Sequence, residues 1–351
     1  MTTLAERLDR LTRPADLVEP LEEGAVRCLA CAHRCRIQPG RRGICKVRFN
    51  REGELRAPWG YTAGVGLDPV EKKPFNHFLP GQRVLTFGML GCNFHCAFCQ
   101  NWETSQTLRD DAAQMSGATI QPVQPADLVN YALRNGAAAI ASSYNEPLIT
   151  TEWAVEIFKL AKPAGLRCAY VSNGYATPEV LEYLLPWLTA YKVDLKSMQA
   201  ANYRALGGQL NAVLDTITNA HALGLWVEIV TLVIPGFNDS TEELWEAARF
   251  ITSVSPDIPW HVTGFHPDYH MDGTPTPPDS LQRAAEIGQE AGLHYVYAGN
   301  LPGRVGSLED THCPHCQQVL IHRLGYTVLE NHLTPAGTCP HCGTAIPGIW
   351  K

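Results

Sequence analysis

The sequence predicts an α/β fold: a partial (β/α)6, TIM-like barrel with a small cysteine-rich extension at each end. Three observations carry this. Seven short β-rich runs recur between residues 84 and 300, most of them apolar on both faces, as parallel strands covered by helices require. The stretches between them carry helix-start signals. Eleven of the twelve cysteines fall into three clusters, two of which flank the repeat. The 351 residues are 45% apolar and 18% charged, without an apolar run of 18. Such a chain can bury a real core and reads neither as disordered nor as membrane-spanning.

The runs are VLTFGM from Val84, AAAIASSY from Ala137, CAYVSNGY from Cys168, AYKVDLK from Ala190, WVEIVTLVI from Trp226, WHVTGFH from Trp260 and HYVYAGN from His294. Between them, Thr177-Pro178 offers an N-cap followed by proline at the first helical position, and Ser240 with Glu243 a capping box. Repeats of roughly 30 residues describe βα units. No GxGxxG follows a strand and no GxxxxGK[ST] occurs, which argues against dinucleotide-binding and P-loop sheets. In a barrel of this kind reactive groups gather at the carboxyl ends of strands.

The chain thus divides into a leader and cysteine-rich segment (1–83), the barrel (84–300) and a carboxyl-terminal segment (301–351). The leader opens with a short helix marked by Leu4, Leu8 and Leu11 and ends in GVGLDPVEKKPFNHFLPG. Both end segments are too small to fold without a metal. The amino terminus has no apolar core before small residues, so no secretory signal is read and a cytoplasmic chain is expected. A net charge of -7 gives no general attraction to polyanions, so neither nucleic acid nor an anionic membrane is an expected partner.

In a reducing compartment CxxC-type spacings mean metal ligation more often than disulfides. The middle cluster, Cys92, Cys96 and Cys99, is CxxxCxxC directly after VLTFGM. Four thiolates close a [4Fe-4S] cluster, whereas three leave one iron open to a substrate or cofactor. Zinc completed by His95 is the alternative, at a crowded spacing. The last cluster pairs Cys313 and Cys316 with Cys339 and Cys342 across 22 residues, the pattern of a closed structural zinc ribbon. Rubredoxin-like iron is its runner-up. Its expected role is folding or docking a partner over the barrel mouth, with His315 and His341 only lining the knuckles. The first cluster, Cys28, Cys31, Cys35 and Cys45, fits either zinc or an auxiliary [4Fe-4S] cluster, with His33 as a substitute ligand. Spacing does not decide between them, and zinc is preferred. Cys168 stands alone as an inert core thiol.

With Phe98 at its aromatic position, the CxxxCxΦC loop resembles that of the radical S-adenosylmethionine (SAM) superfamily, over about residues 84–300. A wider match rests on DPVEKKPFNHFLPG at 68–81, GCNFHCAFCQNWE, YNEP at 144–147 and the flanking clusters. It resembles the radical SAM enzyme of the AmmeMemoRadiSam system, close to glycyl-radical-enzyme (pyruvate formate-lyase) activases. The resemblance implies an enzyme with a [4Fe-4S] cluster on Cys92, Cys96 and Cys99. Such an enzyme cleaves SAM to a 5'-deoxyadenosyl radical, which abstracts hydrogen from a substrate that the activases suggest is a protein or peptide. It also implies a one-electron donor such as flavodoxin or ferredoxin, and partners of the Memo and AMMECR types.

Residue by residue, the resemblance gives Asn145 and Glu146 to the SAM amino group, where the superfamily carries GGE. Ser172 and Asn173 end the next strand. Asp194 and Lys196 resemble the activase DLK beside the SAM carboxylate and ribose, and His261 the histidine next to the ribose. From the residues alone, Asn145-Glu146-Pro147 is equally a turn before a helix, Asp194 and Lys196 a solvated pair, and His261 a hydrogen-bonded core histidine. Glu228, mid-strand, needs a partner. PGFND at 235–239 reads as a loop and N-cap. Glu71, Lys72, Lys73 and His77 read as a solvated charged face, with a substrate or SAM contact as the alternative. The rival function is a non-catalytic binding scaffold whose metal sites are all structural.

Overall fold

The computed structural model describes residues 3–115 and 117–351. Eight strands form its large sheet: β1 (Gly64–Pro69), β2 (Arg83–Gly88), β3 (Ala137–Ser142), β4 (Arg167–Ser172), β5 (Ala190–Asp194), β6 (Trp226–Val233), β7 (Trp260–Gly264) and β8 (Val296–Gly299). Strands β2 to β8 are parallel and lie side by side in chain order. The crossovers carry α1 (Pro125–Arg134), α2 (Thr151–Ala161), α3 (Pro178–Leu184), α4 (Leu210–Ala222), α5 (Thr241–Val254) and α6 (Pro278–Glu290). Six βα units wound in one direction make a barrel wall. Because β1 and β8 do not pair, the wall stays open as a partial barrel.

All seven apolar runs are strands of this wall, but β1 belongs to the stretch expected to stand outside the repeats. It pairs antiparallel with β2 at the edge. Its glycines conceal it, and they have a reason: a Cβ on Gly66 would stand 2.4 Å from the Tyr144 hydroxyl. On β2, a Cβ at Gly88 would lie 2.5 Å from the Ser143 carbonyl oxygen. Glycine therefore admits the turn that follows β3 and the tyrosine it carries.

Alternation along the strands sorts the two faces. Leu85, Phe87, Ile140, Tyr170 and Tyr191 pack into the main core. Val84, Ala139, Ala141, Ala169 and Ala190 belong to a second cluster with Val70, Phe75, Phe78 and Leu79. The alanine-rich run at 137–141 thus leaves space for a plug formed by the segment after β1. Burying Phe75 and Phe78 is worth roughly 1.5–3 kcal/mol each. The plug also answers the need of Glu228, whose carboxylate accepts the Asn76 and His77 backbone N–H groups (both 2.9 Å) and Trp226 Nε1–H (2.9 Å), and meets His261 Nε2 at 2.7 Å.

Local signals act largely as their chemistry requires. Thr177 Oγ1 accepts from Val180 N at 3.2 Å and Pro178 opens α3. Ser240 caps α5 through Glu243 N, but the capping box is only half formed. Glu243 instead accepts from the Ser197 hydroxyl and from Met198 N, which ties α5 to the chain leaving β5. In the PGFND loop, Asn238 bonds the carbonyls of Lys196 and Leu232 and the N–H of Ile234, knitting the ends of β5 and β6.

The carboxyl-terminal segment is a small antiparallel sheet, Thr311–His312, Val319–Leu324 and Thr327–Asn331. It docks on its own barrel at the plug. Arg323 donates to Asn76 O (2.9 Å) and Thr311 Oγ1 (2.7 Å), and Leu79 N donates to Ile349 O (2.6 Å). At the other end the leader helix Leu4–Arg10 precedes two small three-stranded sheets. A buried bidentate pair, Arg48 with Glu152 of α2, anchors this segment at 2.6 and 2.7 Å. Among the described residues no helix is long and apolar enough to cross a membrane.

Candidate active site

The cysteine loop leaves β2 through Gly91, whose φ of +93° suits glycine. Two aromatic anchors grip it on either side of Cys96. Phe94 is fully buried against Tyr175 and Tyr203, and Phe98 packs edge-on against Phe237 at 5.5 Å. Phe94 N donates to Cys92 Sγ at 3.3 Å, and Cys99 Sγ meets Ser105 Oγ at 3.2 Å. Cys96 and Cys99 line a cavity of about 380 Å³ at the carboxyl ends of the strands. Burial pushes the Cys92 thiol well above its ordinary range and that of Cys96 up to about 12. As free thiols they stay protonated, so a bound cation is what converts them to thiolates.

Sulfur spacing separates the three clusters. One zinc ion with Zn–S bonds of about 2.3 Å needs sulfurs about 3.8 Å apart. Cys313, Cys316, Cys339 and Cys342 meet this: their sulfurs all lie within 4.8 Å of one another, with close pairs at 3.5 and 3.6 Å. Among the described residues they form the only such group, and exposed His315 and His341 are not in it. Cys92, Cys96 and Cys99 are not among the groups of the described residues whose ligand atoms all close to within 4.8 Å of one another, as a single ion requires. The His95 ring packs on Gly207 instead of joining them. The triad therefore fits a multi-iron cluster with one uncommitted corner.

Asn145 and Glu146 lie beyond the end of β3 and do not line the cavity; Ser143 and Tyr144 of the same turn do. Asn145 Oδ1 accepts from Met89 N at 2.9 Å, bracing the loop where it leaves β2. Glu146 is buried and accepts from Ser172 Oγ (2.7 Å), Asn173 N (2.8 Å) and Leu148 N (3.1 Å). Burial pushes its carboxyl up to about 7 against the pull of those donors. Asn173 in turn donates from Nδ2 to Asn93 Oδ1 at 2.7 Å, beside Cys92. Glu146, Ser172, Asn173 and Asn93 thus form one buried chain that holds the strand ends against the cysteine loop.

The cavity wall opposite is cationic. Lys73, Lys192 and Lys196 line it with Asp194, Phe98 and the half-exposed Tyr144. Asp194 accepts from Lys196 Nζ at 2.9 Å and from Lys192. Burial alone would raise the Asp194 carboxyl, but the two lysines hold it well below the usual carboxylate range. Lys73, 6% exposed, reaches Asp68 at 3.2 Å and lies over the Tyr144 ring. The expected solvated face therefore holds only for Lys72. Of these cations, Lys192 is absent from the residues expected at the site, and Lys73 is expected there only as the alternative to a solvated face. The signal for Lys192 is a lysine inside an otherwise apolar strand, AYKVDLK, which a buried strand tolerates only when it faces a polar interior.

His261 sits near the start of β7, not at its carboxyl end. Its ring stacks on Tyr297 at 5.2 Å, and it lines a second cavity of about 490 Å³ that adjoins the first through Gln100, Thr263 and Asn300. Below it His77 is fully buried, between Pro347 O (2.7 Å) and the Tyr297 hydroxyl (2.6 Å). Burial pushes His77 down to about 4. The unfolded chain protonates this residue below about pH 6.5, so its contribution is complete above that pH and fades as pH falls toward 4, on the order of 3 kcal/mol in all. A His77→Gln variant is expected to lack this acid sensitivity. In urea titrations its stability deficit relative to wild type should shrink between pH 7.5 and pH 5; an unchanged deficit would remove the effect.

The model of the radical SAM superfamily matches residues 87–251, a span holding the cysteine triad, Glu146, Asp194 and Lys196. An uncharacterized protein of Methanocaldococcus jannaschii is 34% identical over 338 residues, 95% of this chain and 98% of that one. The chain belongs to the radical SAM superfamily. This radical SAM protein is related to glycyl-radical activases. The pyruvate formate-lyase-activating enzyme of Clostridium pasteurianum is 24% identical to it over 199 residues, 53% of this chain and 79% of that enzyme. A solved radical SAM methyltransferase from Sphaerobacter thermophilus overlays 84% of this chain and 80% of its own at 14% identity, with a TM-score of 0.48, too loose to carry weight.

Proposed function

We propose that this radical SAM protein cleaves SAM reductively and uses the outcome to remove hydrogen from a substrate held in the barrel. The observation that carries the reading is a three-cysteine loop of which Cys96 and Cys99 line a cavity at the carboxyl ends of the strands. A [4Fe-4S] cluster held by these cysteines would supply the one-electron reduction that splits SAM into methionine and a 5'-deoxyadenosyl radical. Cys92, Cys96 and Cys99 hold the cluster, and Phe94 and Phe98 fix their loop. Lys192 and Lys196 offer positive charge to the methionine carboxylate, and Asp194 keeps both oriented. Asn145, Glu146, Ser172 and Asn173 act as positioning residues behind that site. His261, held by Glu228, forms the far wall. The enclosed interior keeps water and stray reductants from a reactive species.

The adjoining cavity of about 490 Å³ is where a substrate group fits, and Arg323, Gly325 and Tyr326 of the carboxyl-terminal sheet form part of its wall. Kinship with activases favours a protein or peptide as the source of that group, with Memo- and AMMECR-type proteins as partners and flavodoxin or ferredoxin as donor in the cytoplasm. Zinc on Cys313, Cys316, Cys339 and Cys342 is supported by their spacing. It holds the wall in place. A Cys339→Ser variant is expected to lose about one zinc per chain while keeping its iron, and to become open to protease between residues 300 and 331; metal analysis and limited proteolysis check both.

The test of the function is anaerobic incubation of iron-replete protein with SAM and dithionite. Formation of 5'-deoxyadenosine is expected. Its absence from a sample shown to carry iron and sulfide favours the non-catalytic scaffold.

A further inference from the structure

The amino-terminal cysteines are bound into the same neighbourhood as the catalytic loop. Cys28, Cys31, Cys35 and Cys45 line one small common cavity of about 10 Å³. Its roof touches the loop of Cys92 at several points. His33 Nε2 lies 3.1 Å from Asn93 O, and a Cβ on Gly91 would meet the Cys45 carbonyl oxygen at 3.1 Å. Arg109 bridges the two loops, donating to Phe94 O at 2.7 Å and to Ile44 O at 2.5 Å.

Two observations bear on what fills the cavity. No three of these four sulfurs come within 4.8 Å of one another, whereas the zinc-type tetrad of the same chain closes to 3.5 and 3.6 Å. Cys92, Cys96 and Cys99 likewise form no such close group among the described residues. Thiolates on separate irons of a cubane stand farther apart than thiolates on one ion, so wide spacing around a common cavity matches a cluster. The second observation is Arg48, 1% exposed, which lines this cavity. Both of its terminal nitrogens are taken by Glu152 and Ile149 O, but Nε–H has no partner. A buried guanidinium N–H left unpaired costs free energy. Cluster sulfur is an acceptor that would satisfy it.

We infer that Cys28, Cys31, Cys35 and Cys45 hold a second [4Fe-4S] cluster, closed by four thiolates, in place of the zinc preferred on spacing alone. His33, engaged with Asn93, is not needed as a ligand. Cys35 is the half-exposed member and the neighbouring Ile44 is 46% exposed, so the site runs from the surface to the Cys92 loop. That is where an electron from a low-potential one-electron donor would pass. Only this last role rests on the proposed function; the cluster itself does not.

The experiment is iron, acid-labile sulfide and zinc analysis of chain isolated anaerobically without reconstitution, with electron paramagnetic resonance of the reduced protein. Wild type should carry about eight irons, eight sulfides and one zinc. The Cys92→Ala/Cys96→Ala/Cys99→Ala variant should keep about four irons, four sulfides and one zinc, with a cluster signal indifferent to SAM. A variant devoid of iron overturns the inference, as does wild type with two zincs, a result that stands even if the variant does not fold. Four irons in both proteins would instead uphold this cluster and sink the proposed catalytic one.

Discussion

Alanine in place of Cys96 is expected to cut reductive SAM cleavage by ~10³-fold or more, equivalent to ~4 kcal/mol of barrier. Cys96 is one of three cysteines on its short loop. The His95 ring, the nearest alternative in sequence, is committed to the surface of Gly207. The variant should lose about four irons per chain and keep its zinc. The fitting control is Cys168→Ala, which removes an equally buried thiol from β4 and is expected to leave cleavage unchanged. Rates of 5'-deoxyadenosine formation, read beside iron content, check both; a wild-type rate in the Cys96 variant would exclude the proposed site.

Arg48→Met is expected to cost ~3–5 kcal/mol of stability, the scale for leaving one member of a buried ion pair without its partner. Glu152, 3% exposed, would then keep backbone N–H donors such as that of Leu17 but no counter-charge. The sign of the pH dependence is diagnostic. In wild type, burial alone would raise the Glu152 carboxyl, but Arg48 holds it below its ordinary value. Its contribution is therefore present at neutral pH and lost in acid. Without the guanidinium, burial dominates and protonation relieves the strain, so the deficit of the variant should shrink from pH 8 to pH 5. Urea midpoints at the two pH values measure this. The double variant Arg48→Met/Glu152→Leu should recover most of the loss, because an apolar pair of similar volume replaces a buried salt bridge at little net cost.

Much of the barrel was legible because its strands are apolar on both faces and two of its helices, α3 and α5, begin at Thr177 and Ser240 caps. Alternation alone did not reveal β1, since the glycines that make room for Tyr144 weaken any strand pattern. The plug was equally hidden: FNHF reads as a loop until Ala139, Ala141, Ala169 and Ala190 are seen to leave a hole of its size. At the site, residue type and spacing single out the cysteine triad, which the fold carries on one short loop after β2. They do not tell that the turn carries Asn145 and Glu146 behind the cavity, nor that Lys192 lines it. Glu243 shows why: a glutamate at the third helical position caps its helix by default, yet here Ser197 and Met198 offer it better donors. Such competition is decided by the tertiary fold.

The proposed chemistry stands or falls on an iron that the polypeptide leaves free. Electron-nuclear double resonance on the reduced protein with SAM labelled by ¹⁵N in its amino group and ¹⁷O in its carboxylate examines that iron directly. Couplings from both labels are expected in wild type and in the Cys28→Ala variant, and none in Cys96→Ala. A spectrum without either coupling, in protein whose iron and sulfide are complete, would mean that SAM does not bind the cluster.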